Sequence, residues 1–74
     1  MRGRPGKIVS WTTKEGQSKL GIAYIDKQVK GRSEVMIDLV DENHQPIMIT
    51  KDGKKVLALT FKKPQDLRVI GFVD

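Results

Sequence analysis

The stretch Ile47-Met48-Ile49-Thr50-Lys51-Asp52-Gly53-Lys54-Lys55-Val56-Leu57-Ala58-Leu59-Thr60-Phe61 decides the fold class. Two β-rich runs flank Asp52-Gly53, and both turn positions tolerate positive φ, so the pair predicts a two-residue type I′ hairpin. That turn sets the register. Lys51 faces Lys54, Ile49 faces Val56 and Met48 faces Leu57, so apolar side chains meet on both faces and the lysines gather at the tip. The cost is like charge at the tip, tolerable in solvent and useful if an anion docks there.

Outward from the hairpin the chain keeps a two-residue period. Towards the N-terminus, Asp41 to Pro46 is a polar loop. Glu34 to Val40 is a strand, with Val35, Ile37 and Leu39 on one face and Met36, Asp38 and Val40 on the other. Its β-branched content argues against a helix over 34–42. Residues 27–33 form a basic loop. Lys19 to Asp26 is a strand whose small residues Gly21 and Ala23 signal a bend or the close approach of another segment. Thr13 to Ser18 is a loop, and Lys7 to Thr12 is the first strand. Residues 1–6, with two Arg, two Gly and Pro5, read as a flexible basic arm. Beyond the hairpin, Lys62 to Asp66 breaks the period, with room for one helical turn, and Leu67 to Val73 is the last strand.

The expected fold class is therefore all-β, with five or six short strands in one domain over 7–74 after the arm. Two apolar faces recur in several strands, which suits a small sheet curled over itself. The order of a long first loop, central meander, tight hairpin and short turn resembles a small SH3-like or Sm-like barrel over about residues 7–73, with an OB-like barrel as the near alternative. The resemblance is architectural and transfers no binding residues.

Composition narrows the function. Cysteine is absent, which excludes disulfides and thiolate metal sites. His44 is the one histidine, so Ser10, Ser18 and Ser33 would all need it as base, and it lies in a polar loop. Asp38, Asp41 and Glu42 with Asn43 lack the spacing of a calcium loop, and Gly3 to Lys7 lacks that of a phosphate-binding loop. Neither an enzyme nor a metal or other cofactor is expected. Apolar runs are far shorter than the roughly 20 residues of a membrane-spanning helix. No membrane association is expected, and the default location is cytoplasmic, or nucleoid-associated for a bacterial DNA-binding chain.

Fourteen Lys and Arg oppose nine Asp and Glu, for a net charge of +5. The excess lies early: Arg2, Arg4, Lys7, Lys14, Lys19, Lys27, Lys30 and Arg32 face only Glu15 and Asp26 within residues 1–32. Such a field attracts polyanions. Lys27, Lys30 and Arg32 around Gly31 suit phosphate contact, and Lys14 and Lys19 bracket the first loop. Trp11 and Tyr24 are the candidates for stacking on bases, with core packing as their other use. Arg2-Gly3-Arg4-Pro5 resembles the core of an AT-hook. That resemblance implies Arg2 and Arg4 in the minor groove of A·T-rich DNA, close approach at Gly3 and redirection of the chain at Pro5.

The leading expectation is a non-enzymatic nucleic-acid-binding domain, double-stranded DNA favoured, acting through phosphate and minor-groove contacts. The alternative is a protein-interaction or oligomerisation module, a homo-oligomer or a subunit of a larger complex. An oligomeric enzyme with a site shared between subunits comes third.

Overall fold

Seven strands and two single turns of 3-10 helix organise the chain in a computed structural model that describes residues 4–73. The strands are β1 (Gly6–Thr12), β2 (Ser18–Tyr24), β3 (Val35–Val40), β4 (Met48–Lys51), β5 (Lys54–Leu57), β6 (Leu59–Lys62) and β7 (Arg68–Val73). The 3-10 turns are Ile25–Lys27 after β2 and Pro64–Asp66 before β7. Proline suits the start of the second, because its missing N–H would have no partner there.

Five strands form one antiparallel sheet in the order β6-β3-β2-β1-β7, and β4 and β5 form a separate two-stranded ribbon. The all-β expectation holds, but the barrel does not. Among the described residues β6 and β7 end the sheet as opposite edges with no ladder joining them, so neither the SH3-like or Sm-like closure nor the OB-like one is present. The physical reason lies in how the two apolar faces are used. Adjacent residues Ile8 and Val9 point to opposite sides of the sheet. On one side Ile8, Ile22 and Val40 pack with Leu20, Tyr24 and Val73. On the other, Val9, Trp11 and Ile37 pack with Val35, Leu39 and Leu67. A pattern apolar on both faces thus builds a cluster on each side of an open sheet, where the sequence reading had expected the inside of a closed one.

Gly21 bears out the signal of close approach. It pairs with Val9 and with Leu39, and a Cβ placed there would collide with the Ile37 side chain. Ile37 is fully buried. Lacking a side chain, Gly21 lets β3 lay its largest core residue across β2.

The hairpin forms in the expected register, Met48 opposite Leu57, Ile49 opposite Val56 and Lys51 opposite Lys54. Asp52 and Gly53 adopt φ of 53° and 76°, as a type I′ turn requires. The expected single strand over 54–61 is instead two strands broken at Ala58, which is buried. There the backbone switches partners: the Ala58 N–H donates to the Ile47 carbonyl at 2.9 Å, and the Ala58 carbonyl accepts from the Leu39 N–H at 2.9 Å. This node fastens the root of the ribbon to the end of β3, while the rest of the ribbon leaves the sheet.

Candidate interaction surfaces

The early basic residues do not form one open patch. Arg2 lies outside the described residues. Arg4 makes a two-pronged contact with Asp26, Nη2 to Oδ1 at 2.7 Å and Nε to Oδ2 at 3.1 Å, and its guanidinium lies 4.7 Å from the Tyr24 ring centre. The neighbouring Pro5 carbonyl accepts a 3.0 Å bond from the Ile25 N–H, so this part of the expected arm lies against the turn after β2. Hydrogen bonding to Arg4 holds the Asp26 carboxyl below its usual range against a smaller desolvation penalty, and the same bond raises the Arg4 value. Both side chains are about half exposed.

Lys27 is also engaged. Its Nζ lies 2.9 and 2.8 Å from the two carboxylate oxygens of Asp38, and 5.9 Å from the Tyr24 ring centre. Asp38 is the one buried charged residue among those described. It sits between Ile22 and Leu59 in the sheet register, where a carboxylate needs a partner. Arg32 lies 4.0 Å from Glu34 and stacks 4.1 Å over the Phe61 ring. Tyr24 therefore carries cations on its ring, and Trp11, 7% exposed, is a core residue of the second cluster.

Sequence reasoning missed the side chain that shapes the basic loop. Gln28 Nε2 donates to the carbonyls of Tyr24 (2.7 Å) and Met36 (3.1 Å), and Gln28 Oε1 accepts from the Met36 N–H (2.9 Å). The amide thus replaces a strand residue at the edge of β3, and only the mixed donor and acceptor capacity of Gln hints at such a role.

Thirteen basic residues are described, and three of them are in the ion pairs above, which leaves ten with no carboxylate of a described residue within 4.0 Å. They are Lys7, Lys14, Lys19, Lys30, Lys51, Lys54, Lys55, Lys62, Lys63 and Arg68. By register, Lys7, Lys19 and Lys62 share the sheet face of Val9 and Trp11. Lys51, Lys54 and Lys55 crown the hairpin.

The hairpin is the larger departure from an ordinary surface. All eight residues of β4 and β5 are exposed. Met48 and Leu57 form an apolar pair on one face, and Ile49 and Val56 on the other, each residue 37–49% exposed. Ile47 and Leu59 extend this apolar surface at the root. Edge strand β7 adds exposed Val69, Ile70 and Phe72.

Two depressions mark the sheet. A polar cleft of about 550 Å³ lies between the ends of β1 and β2 and the Gln65–Arg68 segment, with Ser10, Ser18, Asp66 and Arg68 in its walls. An apolar groove of about 350 Å³ is lined chiefly by Val9, Ala23, Ile25, Val35, Leu67 and Val69, with Lys7 at its side. His44 lines neither; it occupies the exposed 41–45 turn at φ 62°. Asp41 shapes that turn, its Oδ1 accepting from the N–H groups of Asn43 (2.8 Å) and Gln45 (3.0 Å). No protein-family model, curated protein or solved structure matches the chain.

Proposed function

We propose that this chain is a non-enzymatic protein-interaction module whose docking element is the β4–β5 hairpin. One observation carries the reading: a two-stranded ribbon exposes apolar side chains on both of its faces. Single hairpins are marginally stable in water, because each strand has a partner on one side only and no layer covers it. Exposed apolar residues scattered singly need no explanation, whereas contiguous ones mark contact surfaces. Free strand edges on the same ribbon offer backbone donors and acceptors to an added strand. The test is a photo-crosslinking residue at Ile49 in living cells, with Lys14 as the control position. A discrete protein adduct at Ile49, lost when Val56→Glu is added, is the expected result. Adducts no stronger than at Lys14 would refute the reading.

The uncompensated cations favour a second reading, binding of nucleic acid through its phosphates, with double-stranded DNA the first to examine. The described residues keep ten unpaired cations against five unpaired carboxylates, Glu15, Asp41, Glu42, Asp52 and Asp66. For Arg4 to enter a minor groove it must first leave Asp26. Affinity for A·T-rich duplex, G·C-rich duplex and single-stranded RNA, followed against salt, tests this reading. Each duplex phosphate neutralised adds about 0.9 to the log–log slope, and absence of binding at modest salt removes it.

A further inference from the structure

We propose that the partner of the hairpin is a second copy of this chain, joined hairpin to hairpin and antiparallel about a two-fold axis. The inference rests on the reading of the hairpin as a docking element and adds the identity of what docks.

Charge placement along the ribbon selects this occupant. The tip is basic, with Lys51, Lys54 and Lys55 against the single Asp52. The root is acidic, because the 41–45 turn that carries Asp41 and Glu42 is tied to it. The Asp41 N–H donates to Gln45 at 3.0 Å, Val40 bridges to Pro46, and the Ile47 N–H donates to Leu39 at 3.1 Å. Neither carboxylate is in an ion pair among the described residues. Two ribbons paired tip to tip in parallel would stack their lysines. Antiparallel pairing about a two-fold does the opposite, since the tip of each ribbon then lies beside the root of the other. Pairing β4 with its own copy about a two-fold at Ile49 sets Ile49 opposite Ile49, Met48 opposite Thr50 and Ile47 opposite Lys51. Lys54, opposite Lys51 across the turn, and Lys55 stay at that same end of the ribbon. The lysine tip of each chain meets the acidic turn of its partner at both ends.

The apolar positions follow the same symmetry. The Ile49 side chains of the two copies lie side by side in the middle of the resulting four-stranded sheet. Three or more strands with an apolar face are the usual threshold for independent stability of a ribbon. The size of the contact sets its strength. Edge pairing covers at most Ile47, Met48 and Ile49, about 300 Å² of apolar side chain per copy, against about 800 Å² in a standard interface. The dimer is accordingly weak, and its association is sought up to millimolar chain.

A complementary charge swap, read by sedimentation equilibrium up to millimolar chain, tests the proposal. One variant, Lys54→Glu with Lys55→Glu, reverses the tip. The other, Asp41→Asn with Glu42→Lys, reverses the root and keeps the amide oxygen that receives the Asn43 and Gln45 N–H groups. These positions are exposed, and Trp11 emission checks that each variant is folded. The wild-type chain is expected to dimerise, each variant alone to weaken at least ~10-fold, and the equimolar mixture to regain association, since each then meets its complement. A wild-type chain that stays monomeric to millimolar concentration overturns the second-copy inference. It leaves the hairpin reading itself to the crosslink at Ile49, where the adduct would be a different protein. A dimer untouched by both variants, or one that needs added duplex DNA, also overturns it.

Discussion

Replacing Lys27 by Met should cost this domain a large fraction of its stability, although the residue lies in the basic segment that a charge count assigns to ligand binding. The Lys27 ammonium is the partner of both carboxylate oxygens of Asp38, at 2.9 and 2.8 Å, and the Asp38 side chain is 9% exposed. Without it, a carboxylate is left between Ile22 and Leu59 with no side-chain donor. Breaking one partner of a buried pair costs about 3–5 kcal/mol, because the remaining charge has lost its water and its counter-ion together. The Lys27 side chain is 23% exposed, so solvent can follow it in part, which brings the expected loss to about 2–3 kcal/mol. A chain of this size holds roughly 4–11 kcal/mol in total. At a urea m-value near 1 kcal/mol/M, the midpoint would fall by about 2–3 M. Urea titration followed by Trp11 fluorescence measures this directly. Lys30→Met serves as the control, since Lys30 has no ion pair among the described residues and should move stability by less than ~0.5 kcal/mol. The double change Lys27→Met with Asp38→Leu should recover most of the loss, because it removes the stranded charge. If Lys27→Met unfolds within ~0.5 kcal/mol of the wild type, the pair is not structural and the reasoning fails.

Three further outcomes follow from the geometry. Gly21→Ala should destabilise by about 3 kcal/mol or more, because the new methyl meets Ile37, the Asp38 carbonyl at 3.0 Å and the Trp11 ring at 3.3 Å; thermal unfolding reads it, and an unchanged midpoint would contradict the packing described. Asp26, lowered in the folded chain chiefly by its bond from Arg4, should titrate below the ordinary carboxylate value of 3.8 by NMR and shift upward in Arg4→Gln. Because the folded value is the lower one, the pair's contribution is complete above the unfolded value and disappears as pH falls through the folded value, so it is an acid-side effect only. Trp11 should emit at short wavelength and resist a neutral quencher until the chain unfolds, whereas a ring open to stack on bases would be quenched in the native state.

What could be read along the chain was what neighbouring residues decide. The two-residue period located the strands, Asp52-Gly53 selected the turn and thereby the register of Met48 to Leu57, and the paired small residues Gly21 and Ala23 announced a close approach that Ile37 makes. These depend on local dihedral preference and on pleat alternation, both encoded within a few residues. The strand order β6-β3-β2-β1-β7, its open edges and the break at Ala58 depend on backbone partners distant in sequence, and strands apolar on both faces suit an open sheet with two clusters as well as a closed one. The candidate site divides along the same line. Counting charges located the basic residues, but Arg4 finds Asp26 across 22 positions and Lys27 finds Asp38 across 11. Only the folded chain distinguishes a cation spent on a buried carboxylate from one left in solvent, because Coulomb attraction and desolvation act through space and not along the sequence. The exposed hairpin has the same origin: its alternating pattern specified two apolar faces, and tertiary structure alone left both of them uncovered.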